Sequence, residues 1–483
     1  MEWSRLLSKK TQALREKEPE YFDKYPLSDF AKDYKMIISS AAFRRLQDKT
    51  QVFPLDKSDF VRTRLTHSNE VSAIARQLGI MITKIKDEKY KPEYFKNHAE
   101  LTAEIPEVLS CAGLLHDIGN PPFGHFGEVV IGEWFKKQFK NPEFTYKGQH
   151  VSGFLKYEYK KDLCSFEGNA QALRILSKIS SRPNSYNINL TYSVMNTLVK
   201  YPISSAETDE KSEDVKKHKL GYFQAEKKVF NEICTETGTK ISENQFVRHP
   251  LTFLVEAADD IAYATADVED GLKKGMFTVE QFIAYFERQI STISDESKKK
   301  KSSEIINSLK ERLKEAQNKE DELIAFQKWT EYVRNWLMYV VAFSFSKNYK
   351  DIMAGKYSKD LFYDGFHQYT IKFLKGAMGE FVYNSPEILK LELSAHKILF
   401  SLMDDFIYAV LYWEDEDDEY KMSKTQKKLV NIISENYKND YIKACGTAPD
   451  ENLYLRFLMV IDFISGMTDS YAKNLYQELN GID

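Results

Sequence analysis

Apolar residues recur three and four positions apart over long stretches of this 483-residue chain, which is the spacing of one face of an α-helix. The pattern is clearest at 306–346, 386–412 and 451–480. Glycine and proline together make up about 7% of the residues, against roughly 12% in average proteins. No alternating run typical of a β-strand stands out. The sequence therefore predicts an all-α fold of long helices with few hairpins.

Three polar segments interrupt the helical pattern. Residues 203–219 are polar and charged, which predicts a surface loop. Residues 294–303 contain four consecutive lysines and are interpreted as a charged hinge between two helical regions, solvated rather than bound to nucleic acid. The acidic stretch 414–419 is likewise expected to be solvated.

Charge and cysteine content exclude several classes of protein. A formal net charge of −4 excludes a globally basic nucleic-acid coat protein, although a local basic site stays open. No apolar run reaches about 18 residues and the first residues lack an apolar signal core, so neither a membrane span nor secretion is expected. The four cysteines lie far apart without a CxxC pair, which excludes a disulfide scaffold and a zinc ribbon and fits a reducing cytoplasm.

The most informative residues are two histidines and two aspartates. His116 and Asp117 follow an apolar helical stretch that Gly119 and two prolines then end. His67 lies upstream, and Asp259 lies downstream in an apolar, alanine-rich stretch where a carboxylate is costly to bury unless it is paired or metal-bound. Such a mixed nitrogen and oxygen set suits Mn²⁺, Fe²⁺, Co²⁺ or Zn²⁺, and also Mg²⁺ when phosphate oxygens complete the coordination.

These four residues, in this order, resemble the HD-domain metal phosphohydrolases, and within them the deoxyguanosine triphosphate triphosphohydrolases (dGTPases). Six stretches carry the resemblance in the family's order: 43–53, 62–68, 116–128, 166–171, 256–263 and 464–469. The resemblance implies an HD-domain helical core with a C-terminal helical extension. With a soft boundary near 275–295, we expect an N-terminal helical segment (1–30), a catalytic core (31–285) and a C-terminal region (286–483) that contributes to the base pocket and to oligomer contacts.

The resemblance also implies roles for individual residues. His67, His116, Asp117 and Asp259 would hold the metal. His125 and Glu128 would carry out proton chemistry at the α-phosphate, and they share a face if a helix restarts after the Pro-Pro-Phe-Gly turn. A capping glutamate with a structural histidine is the alternative interpretation of that pair.

Substrate contacts follow from the same resemblance. Cations are needed because the substrate carries about four negative charges, and Arg64, Lys200 and Lys219 are matched to the triphosphate, with a surface role equally open for Lys219. Tyr263 would stack on the sugar and exclude a 2′-hydroxyl, with plain core packing as its alternative. The remaining matched positions are Asp267 near phosphate and sugar, Gln51 at the 3′-hydroxyl, Val52 by the base, Asn169 near the catalytic water, and Tyr383 and Glu392 at guanine.

Two positions bear on specificity. The alignment places Lys424 where the family has an arginine fitted to guanine, and lysine does not bind that edge bidentately. Asn120 favours the dGTP-preferring branch over a branch with broader specificity, which tends to have histidine there.

The expected reaction is metal-dependent hydrolysis of dGTP to deoxyguanosine and triphosphate, with Mn²⁺ or Mg²⁺ as cofactor. Two other functions stay open: a triphosphohydrolase that acts on several dNTPs, and a nucleotide-sensing or single-stranded nucleic-acid-binding protein with an idle site. The resemblance further implies a cytoplasmic homo-oligomer, commonly a hexamer in relatives, with single-stranded DNA as a compatible allosteric partner.

Overall fold

The structure is a computed structural model that describes most of the chain. The described residues are 1–13, 15, 26–55, 58, 60–85, 92–98, 100–178, 188–212, 214–363, 365, 367–415 and 421–482. Within them the chain is almost entirely helical, so the predicted all-α fold is confirmed.

The helices in chain order are α1 (Trp3–Leu6), α2 (Asp29–Ser39), α3 (Ala41–Arg45), α4 (Arg64–Thr83), α5 (Glu93–Asn97), α6 (Leu101–Leu115), α7 (Gly124–Gln138), α8 (Val151–Phe154), α9 (Tyr157–Cys164), α10 (Gly168–Ser177), α11 (Tyr192–Leu198), α12 (Lys227–Thr237), α13 (Pro250–Lys273), α14 (Val279–Ser291), α15 (Glu296–Leu313), α16 (Lys319–Lys347), α17 (Tyr349–Met353), α18 (Gln368–Met378), α19 (Pro386–Val410), α20 (Lys424–Ile432), α21 (Glu435–Ala444), α22 (Pro449–Ser465) and α23 (Asp469–Asn480). Short 3₁₀ turns occupy Leu46–Asp48, Ser205–Glu207, Val215–Lys217 and Gln224–Glu226, and α18 continues into a π-turn at Gly379–Tyr383.

Two small antiparallel hairpins add strands that the sequence did not reveal. β1 (Thr145–Tyr146) pairs with β2 (Gln149–His150), and β3 (Lys240–Ser242) pairs with β4 (Gln245–Phe246). Strands of two or three residues are too short to show alternation, which is why the pattern missed them.

The long helices begin at residues suited to the task. His249 caps α13 by accepting from the Leu251 amide, and Pro250 follows it in the first turn. Ser385 caps α19 in the same way, with Pro386 next. Where the periodicity predicted uninterrupted helix, the chain turns twice, between α15 and α16 and between α22 and α23.

The lysine-rich segment is helix rather than a hinge loop. Asp295 caps α15: its side chain accepts hydrogen bonds from the amides of Ser297 and Lys298, which have no partner within the helix. Further along, Ile305 and Leu309 are buried against α16 and fix the helix. The expectation of a loop at 294–303 was therefore wrong from residue 296 onward.

The other polar segments are less uniform than expected. Residues 416–419 of the acidic stretch lie outside the described residues, but the carboxylate of Asp415 is buried, with Lys147 Nζ 2.7 Å away and the Tyr146 hydroxyl donating to it. In 203–219, of which residue 213 is not described, Ser204 and Ser205 are buried although the segment otherwise follows the surface.

The core consists of two apolar clusters. The first joins α4, α6 and α13 with α16 and α18, and the second joins α7 with α19 and α22. Since α7 belongs to the expected catalytic core and α19 to the C-terminal region, packing runs across the expected boundary, and the three-part division stays a prediction. Among the described helices, none is both long and apolar enough to cross a membrane.

Candidate active site

Four side chains from three helices converge at one point. His67 lies in the second turn of α4, His116 and Asp117 follow the end of α6, and Asp259 lies midway along α13. Asp259 Oδ1 is 3.1 Å from His67 Nε2 and 3.5 Å from His116 Nε2. Asp117 Oδ2 is 3.5 Å from His116 Nε2. The structure thus brings together all four residues proposed from the sequence as metal ligands.

The protonation of this cluster fits a metal centre. His116 Nδ1 lies 2.8 Å from the Gly113 carbonyl, so its proton is held there and Nε2 faces the carboxylates. The Nε2 atom of His116 is buried and has no hydrogen-bond partner among the described residues. Burial alone would lower the pKa of His116, but the charges of Asp117 and Asp259 outweigh it and raise the pKa to about 9. A divalent cation would replace that proton.

Arg64 lies directly against this cluster. Its Nη1 is 2.5 Å from Asp117 Oδ2, and Asn120 Nδ2 donates to Asp117 Oδ1 at 2.6 Å. Although burial acts to raise the pKa of Asp117, the charges of Arg64, His116 and His67 together keep that pKa well below its usual range. Gly124, at φ +62°, leaves room for the guanidinium: a Cβ there would lie 2.3 Å from Arg64 Nη2.

His125 and Glu128 form a hydrogen-bonded pair at the start of α7. The helix restarts at Gly124, and His125 Nδ1 lies 2.8 Å from Glu128 Oε2. The His125 side chain is 73% exposed, whereas that of Glu128 is 7% exposed. The hydrogen bond to Glu128 raises the pKa of His125. Burial acts to raise the pKa of Glu128, but the bond from His125, the charges of His125 and Lys219 and the Gly168 amide together lower that pKa.

The N-terminus of α10 holds Glu128 from the other side. The Gly168 amide donates to Glu128 Oε1 at 2.8 Å, and a Cβ on Gly168 would lie 2.6 Å from that oxygen. Asn169 donates to Glu167 Oε1 at 2.6 Å. Lys219 Nζ lies 2.9 Å from Glu167 Oε2 and 4.0 Å from Glu128 Oε2. Lys219 Nζ therefore lies beside the carboxylates of Glu167 and Glu128, and its contact with the triphosphate stays a prediction.

A cleft runs from the metal cluster between α11 and α13, with an empty volume of about 750 Å³ that includes open solvent. His116, Asp117, His125, Asn169, Lys200, Lys219 and Asp259 line it together with Asn120, Thr197, Leu198, Tyr201, Thr252, Val255 and Glu256. Lys200 Nζ is 3.1 Å from Glu256 Oε1, and Arg248 Nη1 is 2.8 Å from Glu256 Oε2. The cleft therefore presents two lysines to a ligand, each balanced by a carboxylate.

Tyr263, Asp267 and Tyr383 meet beside the cluster. Tyr263 and Asp267 lie on α13, one and two turns after Asp259, and Tyr383 ends the π-turn after α18. The two tyrosine hydroxyls are hydrogen-bonded, and Tyr383 also donates to Asp267 Oδ2 at 3.3 Å. Asp267 is fully buried, which raises its pKa well above the usual range, and its Oδ1 has no hydrogen bond among the described residues.

Gln51 and Val52 lie in the segment before α4. The Arg64 amide donates to the Lys49 carbonyl at 2.9 Å, which fixes this segment against the start of α4. Val52 is buried and Gln51 half-buried. The Oε1 atom of Gln51 is buried without a hydrogen bond from any described residue.

The structure does not bring Lys424 to Glu392. Glu392 is half-buried in the second turn of α19, and burial raises its pKa. Lys424 is exposed at the start of α20, two residues from Gln426, which donates to the Tyr408 carbonyl at 3.0 Å. Tyr408 lies 16 residues beyond Glu392 on α19, about 24 Å along the helix. Lys424 and Glu392 thus lie on different helices, and the role of Lys424 at guanine stays a prediction.

Several residues of the site were not found from the sequence. Lys49 and Asp469 are buried beneath the loop that follows Asp117. Arg248 and Glu256 hold Lys200, and Gly168 holds Glu128. Four of them, Lys49, Gly168, Glu256 and Asp469, lie in stretches that resemble the family, but the sequence alone does not show which residues they contact.

Comparison with known proteins agrees with this site. Residues 64–164 match the HD domain and residues 367–478 match the phosphohydrolase-associated domain. The chain is 43% identical to a deoxyguanosinetriphosphate triphosphohydrolase-like protein of Listeria innocua and 34% identical to one of Synechocystis, over the full length of each chain. It is 30% identical, over 94% of both chains, to a deoxyguanosinetriphosphate triphosphohydrolase of Klebsiella pneumoniae.

Proposed function

The chain belongs to the HD-domain family of deoxyguanosinetriphosphate triphosphohydrolases and their like proteins, and on that premise we propose that it hydrolyses dGTP to deoxyguanosine and inorganic triphosphate. As an HD phosphohydrolase it is a hydrolase. One observation carries the specific proposal. Three of the four proposed metal ligands, His116, Asp117 and Asp259, line the same cleft as His125, Lys200 and Lys219. His67 and Glu128 join this lining through their contacts with Asp259 and His125.

The donor set fits a divalent cation. His67, His116, Asp117 and Asp259 would hold it, and the nitrogen and oxygen donors of the two histidines and Asp117 already lie within 4.8 Å of one another. Mn²⁺ and Mg²⁺ are the proposed ions. Once bound, such an ion would polarise an α-phosphate oxygen and lower the pKa of a coordinated water.

The cations of the chain would bind the triphosphate. Lys200, Lys219 and Arg64 offset its negative charge from within or beside the cleft. Lys200 and Lys219 already pair with Glu256 and Glu167, so their Nζ atoms are held in place before substrate binds. Because the chain as a whole has a net charge of −4, its affinity for phosphate must come from these locally concentrated cations.

The His125–Glu128 pair would move the proton. Because Glu128 raises the pKa of His125, the imidazole keeps its second proton to higher pH than an ordinary histidine does. As water adds its oxygen to the α-phosphorus, the bond to the nucleoside 5′-oxygen breaks and His125 Nε2 gives that oxygen its proton. The proton that the water releases then restores the imidazolium. Glu128 orients the ring through Nδ1 and stabilises its charge.

The test is triphosphate release from each of dATP, dCTP, dGTP and dTTP with Mn²⁺ or Mg²⁺. We expect release from dGTP, and none from a His116→Ala variant. His396→Ala is the matched control, since this histidine stacks on Phe400 away from the cleft. Absence of release from all four nucleotides by the wild-type chain would contradict the proposal.

A second candidate, hydrolysis of several dNTPs, is favoured by the lysine at position 424, where the family has an arginine. A lysine does not bind guanine O6 and N7 bidentately as the arginine of the family does. Lys424 also starts α20, two residues from Gln426, which bonds to α19 about 24 Å beyond Glu392. Comparable rates with all four dNTPs would establish this candidate. A Glu392→Gln variant that lowers the rate with dGTP but not with dATP would instead support a guanine pocket at Glu392.

Partners form the last part of the proposal. By analogy with relatives, the protein assembles into a homo-oligomer, which light scattering in solution would test. Activation by single-stranded DNA is proposed on the same analogy, and its test is the dGTP rate with and without an oligonucleotide.

A further inference from the structure

One motif of the sequence has no role in the reaction described above. It is 464–469, which ends at Asp469, the first residue of α23. The Asp469 side chain is buried, with 1% of the residue exposed. Its Oδ2 accepts from the Thr50 amide at 3.0 Å and from the Thr50 hydroxyl at 2.5 Å. Its Oδ1 accepts from the Phe123 amide at 2.9 Å. One carboxylate thus holds two separate segments, one with each oxygen.

Each of those segments leads directly to functional residues. Thr50 precedes Gln51, and its backbone pairs with Thr63, the cap of α4 on which His67 lies. Phe123 adopts φ +63° and precedes α7, so its conformation sets where His125 starts. A non-glycine residue in this region is disfavoured and persists only where neighbours hold it. The bond from Phe123 N to Asp469 is such a restraint.

Lys49 acts on the same loop from beside Asp469. Its Nζ donates to the Asn120 carbonyl and, at 2.8 Å, to the Ser465 carbonyl. Lys49 is 3% exposed. Burial lowers its pKa to about 7, against the opposing charge of Asp469. Lys49 thus joins the 117–124 loop to the end of α22, and Asp469 joins the same loop to the start of α23.

We propose that Asp469 is a positioning residue of the hydrolytic site, which aligns the Gln51 segment with the helix that carries His125 and Glu128. The proposal rests on the function proposed above. A carboxylate is required because each segment offers an N–H donor, and only a carboxylate has two oxygens that can each accept one. An asparagine has a single acceptor oxygen, so it can satisfy Thr50 or Phe123 but must turn its own NH₂ toward the other.

The test is Asp469→Asn, with Asp33→Asn as matched control. Asp33 is also fully buried and accepts from the amide and hydroxyl of a threonine, Thr191, at 3.2 and 2.6 Å. Thr191 caps the start of α11, whereas the residues of α11 that line the cleft, Thr197 and Leu198, lie at its other end. We measure kcat and KM for dGTP, the Kd for Mn²⁺, Tm, and amide hydrogen exchange of peptides covering 46–52 and 119–128.

For Asp469→Asn we expect kcat to fall by about 10–100-fold, because small misplacements of reacting groups cost that much. The Mn²⁺ Kd should stay close to that of the wild type, and exchange should rise in the two peptides. Asp33→Asn should lower Tm similarly while kcat and exchange in those peptides stay near wild type. Thr50→Val, which removes only the hydroxyl, should give a smaller loss of kcat, and it decides the question if Asp469→Asn does not fold.

Two results would overturn the proposal. The first is wild-type kcat and wild-type exchange in Asp469→Asn, or in Thr50→Val if the former does not fold. The second is a loss of kcat that follows Tm equally in the Asp469 and Asp33 variants. Failure of the proposed function is a separate outcome, because the wild-type chain would then release no triphosphate while hydrogen exchange still reports whether Asp469 holds the two segments.

Discussion

Arg64 Nη1 lies 2.5 Å from Asp117 Oδ2, so a cation proposed to bind phosphate is paired with a carboxylate proposed to bind metal. Both side chains are largely buried, at 5% and 13% exposure. The guanidinium therefore has two effects on the site. It keeps Asp117 ionised, and it fixes which of the two carboxylate oxygens is turned toward His116.

Replacement of Gly124 by alanine should disturb this pair. The new Cβ would meet Arg64 Nη2 at 2.3 Å and would also strain a residue at φ +62°. Gly148→Ala is the control, because Gly148 has φ +72° but no atom within 4 Å of its Cβ position. We expect both variants to lose about 1 kcal/mol of stability and only Gly124→Ala to lose most of its kcat/KM for dGTP. Equal activity in the two variants would contradict the role of Arg64.

Neighbouring carboxylates on α13 should differ in metal binding. Asp259 Oδ1 faces both histidines, whereas Asp260 Oδ1 accepts from Lys375 Nζ at 2.6 Å. Mn²⁺ should raise the Tm of the wild type and of Asp260→Asn, because a ligand that binds the folded state stabilises it. It should leave the Tm of Asp259→Asn unchanged, and chelation should abolish activity in the first two. Calorimetric titration should likewise show Mn²⁺ binding to the wild type and to Asp260→Asn but not to Asp259→Asn. A Tm increase in Asp259→Asn would exclude Asp259 as a ligand.

The pH dependence of the reaction should depend on Glu128. Since the hydrogen bond and charge of Glu128 raise the pKa of His125, activity that needs the imidazolium falls as pH rises through that raised value. In Glu128→Gln the pKa of His125 drops, so the falling limb of the kcat profile should move to lower pH. At neutral pH the rate should fall by about 100-fold. Glu133→Gln, at an exposed position of the same helix, should keep the wild-type profile. A limb at the same pH in Glu128→Gln and wild type would remove His125 as the proton donor.

Glu226 should make the stability of the fold depend on pH. It is fully buried and accepts from Arg174 Nη1 at 2.8 Å, yet burial raises its pKa to about 7 from an ordinary 4.5. Between these values the folded chain holds a proton that the unfolded chain releases, so its stabilising contribution is present below pH 4.5 and is lost as pH rises through 7.

Glu226→Gln cannot titrate and should therefore gain stability relative to wild type as pH rises from 5 to 7, by about 2 kcal/mol. Urea unfolding at three pH values measures this difference. Glu232→Gln, at an exposed position of α12, should show no such trend. A constant difference between Glu226→Gln and wild type over this range would show that Glu226 is ionised throughout.

The sequence predicts what local spacing determines. Asp259, Tyr263 and Asp267 recur every four residues and do lie on one helix, α13. The sequence pattern failed to predict helix at the lysine run. That segment is helical because Asp295 caps it and Ile305 packs against α16, and its charge pattern reveals neither contact. It also failed for Asp469, whose bond to Thr50 joins residues 419 positions apart. No periodicity relates such residues, and only packing of α23 under the 117–124 loop brings them together.

The late position of Asp469 has a consequence for biosynthesis. His67 leaves the ribosome 402 residues before Asp469. At 5–20 residues per second, that interval lasts roughly 20–80 s. Over the last 210 residues of it, after Asp259, a nascent chain contains every proposed metal ligand but not the carboxylate that holds both Thr50 and Phe123. A chain still in translation therefore lacks the contact proposed to align the site, and we expect partial chains on a polysome to be inactive.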